Sequence, residues 1–282
     1  MRLCTFRTAD GPPEGWPGRV EADQVVRLDA PDLVAVLGQR GQPRAGGVFP
    51  AAGVELLAPV PRPPSVRDFF AFERHIATAR ANRGSTVPAE WYEFPVFYFT
   101  NPAAIVGPGV QVPYPAGTAE LDYELEVAAV IGPDAEIAGF TIMNDWSARD
   151  VQRKEMRVGL GPAKAKDFAI SLGPVLVTAD EFDGSRAVMT ARVNGEERSR
   201  GDLADLHYSW AQILDQAARN TALRRAARRG PGLDRRRRMG EGSASGVPWG
   251  DGFGKGDRGK AGGGAVAHAQ TDETPPLPAR RS

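Results

Sequence analysis

Apolar residues in this chain come mostly in short runs bounded by glycine and proline, the pattern of strands joined by turns. Residues 1–60 carry two such runs, Gln24–Leu28 and Val54–Leu57, and read as a small β-rich region. Pro59, Pro61, Pro63 and Pro64 close it, since proline breaks helices and restricts the residue before it. From Asp68 to Arg83 the spacing of Phe69, Phe70, Phe72 and Ile76 predicts a helix, ended by Gly84 and Pro88. Residues 84–94 are polar and rich in turn formers, which predicts a mobile loop. Strands are predicted at 96–99, 104–106, 139–143, 174–178 and 187–193, and most strongly at Asp122–Ile131. Asn194-Gly195 signals a hairpin turn, because both residues tolerate positive φ. Residues 204–218 read as an amphipathic helix with Leu206, Trp210, Ile213 and Leu214 on one side.

Past Leu223 the periodicity stops. Residues 224–282 hold 13 glycines and four consecutive arginines at 235–238, without an apolar pattern. Such a segment cannot bury enough surface to offset the entropy of ordering it, so disorder is expected. The formal net charge of +0 hides an asymmetry: residues 221–282 carry 13 Lys and Arg against 6 Asp and Glu. A basic tail permits nucleic-acid binding, but this one has no aromatic interleaving and no recognised motif, so no nucleic-acid partner is expected. The single cysteine, Cys4, allows no intrachain disulfide and fits a reducing compartment. The N-terminus has no apolar h-region, and no run approaches the roughly 18 apolar residues of a membrane span. A cytoplasmic protein with no membrane partner is the expectation.

Four places carry candidate chemistry. Along a strand side chains alternate, so Asp122, Glu124 and Glu126 would share one face, neighbours about 7 Å apart. Like charges so placed repel unless water surrounds them or a cation lies between them. An exposed acidic face and a cation site are both open on this pattern alone. Met143–Gln152 gathers two carboxylates, an arginine and two amides. It reads either as a site at a strand end or as a helix start capped by Asn144, Asp145 or Ser147. Lys166 is either solvated or placed to stabilise a developing oxyanion. His75 is one of three histidines, with His207 and His268. Asp68 precedes it by seven residues, two helical turns, which would bring both to one side. His207 reads as a packing residue.

These four pieces occur in the order and approximate spacing of the fumarylacetoacetate hydrolase family, and Asn144-Asp145-Trp146-Ser147-Ala148-Arg149-Asp150 resembles a specific signature of it. The resemblance covers residues 61–223. It implies a mixed α/β, β-dominated fold with a β-roll core over 61–223, a small N-terminal β domain over 1–60, and a homodimer. It also implies that Asp68, Glu124, Glu126 and Asp145 bind a metal and that His75 is the general base. Lys166 and Gln152 match active-site polar residues, Arg149 a charged residue beside the metal, and Tyr98 a substrate-contacting tyrosine. An all-carboxylate set suits a hard cation, Mg²⁺ first, with Mn²⁺ or Ca²⁺ as alternatives. Zinc fits less well without a His/Cys cluster. The implied substrate is a small keto acid of the fumarylacetoacetate or acylpyruvate type, cleaved at a carbon–carbon bond. An isomerase, decarboxylase or hydratase on the same scaffold is the alternative, and an inactive remnant a third class.

The family barrel continues past residue 223 with a Pro-Gly-Asp turn, a Gly-Thr-containing loop and final strands. This chain instead reads Leu223-Arg224-Arg225-Ala226-Ala227-Arg228-Arg229-Gly230. Codons such as CTC GAC CGT CGG CGG for Leu233–Arg237, read one nucleotide later, give Ser-Thr-Val-Gly-Gly. The tail therefore reads as a shifted frame, with the final strands missing and barrel edges unpaired. Glu73 and Glu155 are candidates to replace the carboxylate that orients the histidine in part of the family.

Overall fold

The computed structural model describes residues 1–39, 41, 43–81, 84–132, 135–221, 223, 243–249 and 266–270. The chain opens with a meander of β1 (Arg2–Arg7), β2 (Trp16–Glu21) and β3 (Gln24–Leu28). A short α1 (Leu33–Leu37) follows, capped by the Asp32 carboxylate accepting from Ala35 N at 2.8 Å. β4 (Ala45–Pro50) then lies beside β3, and β5 (Glu55–Leu57) returns along β1. Next come β6 (Ser65–Phe69), α2 (Glu73–Ala81), β7 (Phe97–Thr100), β8 (Ile105–Val106) and β9 (Leu121–Asp122). The long hairpin of β10 (Leu125–Ile131) and β11 (Ile137–Asp145) leads through β12 (Ser147–Ala148) into α3 (Arg149–Val158). β13 (Ile170–Leu172), β14 (Leu176–Thr178), β15 (Val188–Val193), β16 (Glu196–Asp202) and α4 (Trp210–Ala218) follow. β17 (Ser243–Trp249) and β18 (Val266–Gln270) complete the described elements.

Among the described residues, 13 strands join one sheet, ordered β4-β3-β2-β1-β14-β11-β10-β17-β6-β7 with β5, β8 and β13 beside that path. The strands of the first 60 residues are hydrogen-bonded to the rest through β1 and β14. The β-dominated, mixed α/β reading agrees with this architecture. The largest core cluster joins Phe69, Phe72, Leu125 and Val127 to Met189, Leu203 and Ile213, all buried. Each such side chain contributes about 1.5–3 kcal/mol by leaving water. Among the described residues no helix is long and apolar enough to cross a membrane.

Several expectations need correction. The helix predicted from Asp68 begins only at Glu73, and Asp68 sits on β6. All five β6 residues are buried, because β6 has β17 and β7 as lateral neighbours and both of its faces are covered. A strand buried on both faces loses the polar alternation that would distinguish it from a helix. Arg83, the expected end of that helix, lies outside the described residues. The loop at 84–94 contains a 3₁₀ turn, Ala89–Tyr92. It is pinned by the buried Trp91, whose Nε1 donates to Phe70 O at 2.7 Å. The predicted strand Asp122–Ile131 is interrupted after Asp122, where the Glu124 amide donates to the Asn144 side chain at 2.9 Å. None of Asn144, Asp145 and Ser147 caps α3, whose N-cap position is Ala148. The helix predicted from 204 starts at Trp210, where Ser209 and Gln212 form a reciprocal capping box.

Two segments of the tail are among the described residues. Residues 243–249 and 266–270 are strands: β17 pairs with β10 and β6, and β18 with β15. β10 and β6 are therefore not left with open edges at that point. The arginine run at 235–238 and the Leu233–Arg237 segment lie outside the described residues. At 194–195 the hairpin is as predicted, Asn194 and Gly195 having φ of 54° and 83°.

Candidate metal centre and active site

Three neighbouring parts of the sheet deliver four acids to one point. Asp68 comes from β6, Glu126 from β10, Glu124 from the residue just before β10, and Asp145 from the last position of β11. One carboxylate oxygen from each lies within 4.8 Å of the others, and all four residues are buried. β17 sets the spacing of the first two, since Gly246 pairs with Asp68 on one side and Ala128 on the other. Asp145 is placed by the β10–β11 register, in which Leu125 pairs with Asn144 and Glu126 with Met143.

Two cations clasp Glu124. Arg149 Nη1 lies 2.6 Å from Glu124 Oε1, and Lys166 Nζ bonds Glu124 Oε2. Lys166 also lies 3.0 Å from Asp145 Oδ2, and is itself 3% exposed. The Arg149 guanidinium further holds Asp122 at 2.8 Å and Gln152 Oε1 at 3.0 Å. Tyr98 donates its hydroxyl to Asp68 Oδ2 at 2.7 Å and also contacts Asp145 Oδ2. His75 stands on α2 half-buried, its ring edge-on to Phe70 with centroids 4.9 Å apart. Its charge, when protonated, favours the ionised form of Glu124.

The acids divide by environment. Burial, then the Asp145 charge, pushes Asp68 well above the carboxylate range. Burial, then Asp68 and Asp145, does the same to Glu126. Burial also raises Asp145, against the pull of Lys166. Burial opposes the charge of Glu124 as well, but Arg149 and Lys166 together overcome it and bring that group down to about 2. Burial disfavours the Lys166 ammonium, yet Asp145 and Glu124 reverse the balance and hold it above the ordinary lysine value. Burial and the same acids raise Tyr98 well above the usual phenol range, keeping it a donor.

This donor set fits a hard divalent cation. Asp68 Oδ1, both Glu126 oxygens and Asp145 Oδ1 are buried without a hydrogen-bond partner among the described residues. Buried polar atoms are normally satisfied, and three carboxylates driven towards their neutral forms by burial and one another are what a cation would relieve. Oxygen-only coordination at a carboxylate cluster suits Mg²⁺, Mn²⁺ or Ca²⁺.

The four acids, Lys166, Tyr98 and Arg149 meet directly, Gln152 joins them through Arg149, and His75 stands on α2. Asp68 and His75 do not share a helix: one is on β6, the other on α2. Asp122 leaves the acidic row and pairs with Arg149 instead. Glu73 binds the Tyr92 hydroxyl at 2.8 Å and faces His207 Nδ1 at 3.5 Å. Glu155 accepts from three backbone amides at 163–165. His207 packs on Trp91 and Tyr208, with centroids 4.8 and 4.7 Å away, as a packing residue should. Sequence reasoning missed the roles of Asn144 and Asp122. Asn144 stood inside the signature, but an amide gives no sign in sequence of which backbone group it will bind.

Known proteins resemble this chain in sequence and in fold. The profile of the fumarylacetoacetate (FAA) hydrolase C-terminal family matches residues 65–226. An oxaloacetate tautomerase of Bacillus subtilis is 28% identical over 188 residues, covering 62% of this chain and 60% of that protein. A fumarylacetoacetase of Oryza sativa is 32% identical over 163 residues, covering 47% of this chain and 38% of that protein. The chain thus spans less than two thirds of the length of these relatives. The crystal structure of a 5-carboxymethyl-2-hydroxymuconate delta-isomerase from Mycobacterium smegmatis superposes with a TM-score of 0.65 at 26% identity, covering 88% of each chain. With the matched profile spanning more than half of its residues, this chain belongs to the fumarylacetoacetate hydrolase family.

Proposed function

We propose that this protein is a metal-dependent hydrolase that cleaves a carbon–carbon bond in a small fumarylacetoacetate- or acylpyruvate-like keto acid. The observation that carries the reading is the convergence of four buried carboxylates, three of them with partnerless oxygens, on a site that also holds the Lys166 ammonium. Asp68, Glu124, Glu126 and Asp145 would hold the ion, with Mg²⁺ the choice for this donor set. When bound, such an ion polarises a carbonyl oxygen and offsets charge on an enolate.

The remaining work falls to the protein's own groups. His75 takes a proton from water, and the hydroxide oxygen bonds to the substrate carbonyl carbon. The carbon–carbon bond breaks, its electron pair passing into an enolate whose charge Lys166 offsets. His75 returns the proton to the departing carbon, so that one keto acid and one water give two products. Tyr98 and Gln152 contact the substrate, and Arg149 keeps Glu124 ionised and in place. Exposed apolar residues, Phe99 (63%) on the end strand β7 and Val158 and Leu160 (83% and 84%), support assembly as a homodimer.

A second reading, isomerisation or tautomerisation of a keto acid, is favoured by the Tyr98 hydroxyl and the Lys166 ammonium, both of which reach the acids. Decarboxylation and hydration use the same enolate. Product analysis with Mg²⁺ and an acylpyruvate separates these readings. Two acids whose summed mass exceeds the substrate by one water support hydrolysis. A single product of unchanged mass transfers the assignment to isomerisation, and no turnover across a panel of keto acids removes both.

A further inference from the structure

α3 presents Arg149, Gln152 and Glu155 at three-residue spacing, which sets them along one side of the helix. The first of these holds Glu124 Oε1. The last faces the loop that follows α3. Glu155 Oε2 accepts the amide of Ala163 at 2.9 Å and that of Ala165 at 3.3 Å, and Oε1 accepts Lys164 N at 2.7 Å. Three successive N–H groups thus point at one carboxylate, and the next residue is Lys166, whose ammonium holds the other oxygen of Glu124.

The loop's other fastenings lie around the same turn. Ala148 N donates to Ala165 O at 2.9 Å and Lys166 N to Ala163 O at 3.1 Å. Asn101 Nδ2 donates to Asp167 O at 3.0 Å. Gly161, at φ +88°, allows the chain to turn back towards α3. The Lys164 side chain points away to Asp167 at 2.8 Å and is 78% exposed, so the Glu155 contacts serve the backbone.

We propose that Glu155 is a positioning residue: by gathering the amides of 163–165 onto its carboxylate, it fixes the turn that delivers Lys166 into the carboxylate site. α3 then grips Glu124 from both ends, directly through Arg149 and through the loop by way of Lys166. The consequence for turnover rests on the function proposed above; the consequence for Lys166 burial does not.

The test uses the full chain, Glu155→Ala and Glu155→Gln, the latter keeping one acceptor oxygen. Lysines are reductively methylated and each site is read by tandem mass spectrometry, exposed Lys164 serving as the internal standard. In the wild type Lys166 stays protected. In Glu155→Ala it becomes modified at a rate within about tenfold of Lys164, as expected for a loop opened by loss of a charged acceptor, and Glu155→Gln falls between. For turnover, kcat drops roughly 10- to 100-fold, as for other groups that orient a ligating or catalytic residue. KM changes little, Glu155→Gln recovers part of the loss, and the Mg²⁺-induced rise in Tm is retained. Lys166 as protected in Glu155→Ala as in the wild type overturns the proposal. If Glu155→Ala does not melt cooperatively, Glu155→Gln decides: Lys166 modified above the wild-type level supports the assignment, and equal protection overturns it. A wild type inactive on every keto acid tested would refute the reaction while leaving the labelling comparison decisive.

Discussion

Arg149 Nη1 lies 2.6 Å from Glu124 Oε1 while its Nε holds Asp122 at 2.8 Å, so one guanidinium joins the strand β9 to the residue just before β10. Across the break between those strands, Arg149 and Lys166 are the two cations that hold the Glu124 carboxylate. Arg149→Met leaves the buried Glu124 carboxylate with one cation instead of two, which costs about 3 kcal/mol, the low end for a broken buried pair because Lys166 remains. Arg149→Lys recovers only part, since a single ammonium cannot reproduce a planar fork spanning two carboxylates. Urea unfolding at neutral pH checks this, and an unchanged midpoint in Arg149→Met would show that the clasp is not structural.

Stability should depend on pH in a sense opposite to ordinary acid denaturation. Asp68, Glu126 and Asp145 are all raised in the folded state, chiefly by burial. Their contribution is fully present below their unfolded pKa values, roughly 4, and is lost as pH rises through the folded ones. Glu124, lowered to about 2, contributes above the ordinary glutamate range and loses that contribution only as pH falls through 2. In EDTA the Tm should therefore decline as pH is raised from mildly acidic towards neutral. Millimolar Mg²⁺ should remove the decline, because a cation favours the ionised acids and stabilises the native state by mass action. Glu126→Gln should flatten the EDTA curve and weaken the Mg²⁺ response. Parallel curves with and without Mg²⁺ would contradict the metal centre.

The acids and the Asn144–Asp150 segment were legible in the sequence because carboxylates crowded at strand ends are uncommon and the resemblance joined them. Asp68 was singled out from an incorrect element. The aromatic run around it fits a helical period equally well, and only the lateral neighbours β7 and β17 make it a strand. Asp122 was grouped with Glu124 and Glu126 by alternation, which holds only along an unbroken strand. The break depends on Asn144, 20 residues away, accepting the Glu124 amide. Glu155 was considered only as a carboxylate for the histidine; its actual partners are backbone amides, which leave no pattern because every loop has them. Strand β17 was hidden for another reason: Ser-Ala-Ser-Gly-Val-Pro-Trp has little β-propensity and contains a proline. Its pairing with β6 ends at Gly246, so Pro248 falls where β17 has only β10 beside it and the missing N–H is tolerated.

The Tyr98 hydroxyl donates to Asp68 Oδ2 at 2.7 Å and also meets Asp145. Tyr98→Phe adds unsatisfied acceptors to a cluster that already has them, a cost of about 1–3 kcal/mol in the metal-free protein. A cation would take over those oxygens, so the loss should shrink when Mg²⁺ is saturating. Melts of the wild type and Tyr98→Phe in EDTA and in Mg²⁺ give the comparison. A larger loss in Mg²⁺ than in EDTA would assign the hydroxyl to the metal-bound form instead.

Two of the four acids depend on a strand from the tail. β17 lies between β10 and β6 and pairs Gly246 with Ala128 and Asp68, so the distance between Glu126 and Asp68 is set by its backbone. Removing residues 224–282 would leave two buried ladders without a partner, and unpaired buried amides are costly. The truncated chain should lose both a cooperative melt and the Mg²⁺-induced rise in Tm. Gly246→Pro is the finer test, because it deletes one amide donor in the stretch paired on both sides and leaves the rest of the chain intact. It should lower stability by about 1–3 kcal/mol, the cost of a buried backbone acceptor left unpaired, and weaken the Mg²⁺ response. If the truncated chain keeps its melt and its metal response, Asp68 and Glu126 are held by β7 and β11 alone. The tail would then be dispensable, as a shifted reading frame after Leu223 would predict, and resequencing the gene across codons 223–237 would show whether another frame restores the Ser-Thr-Val-Gly-Gly loop.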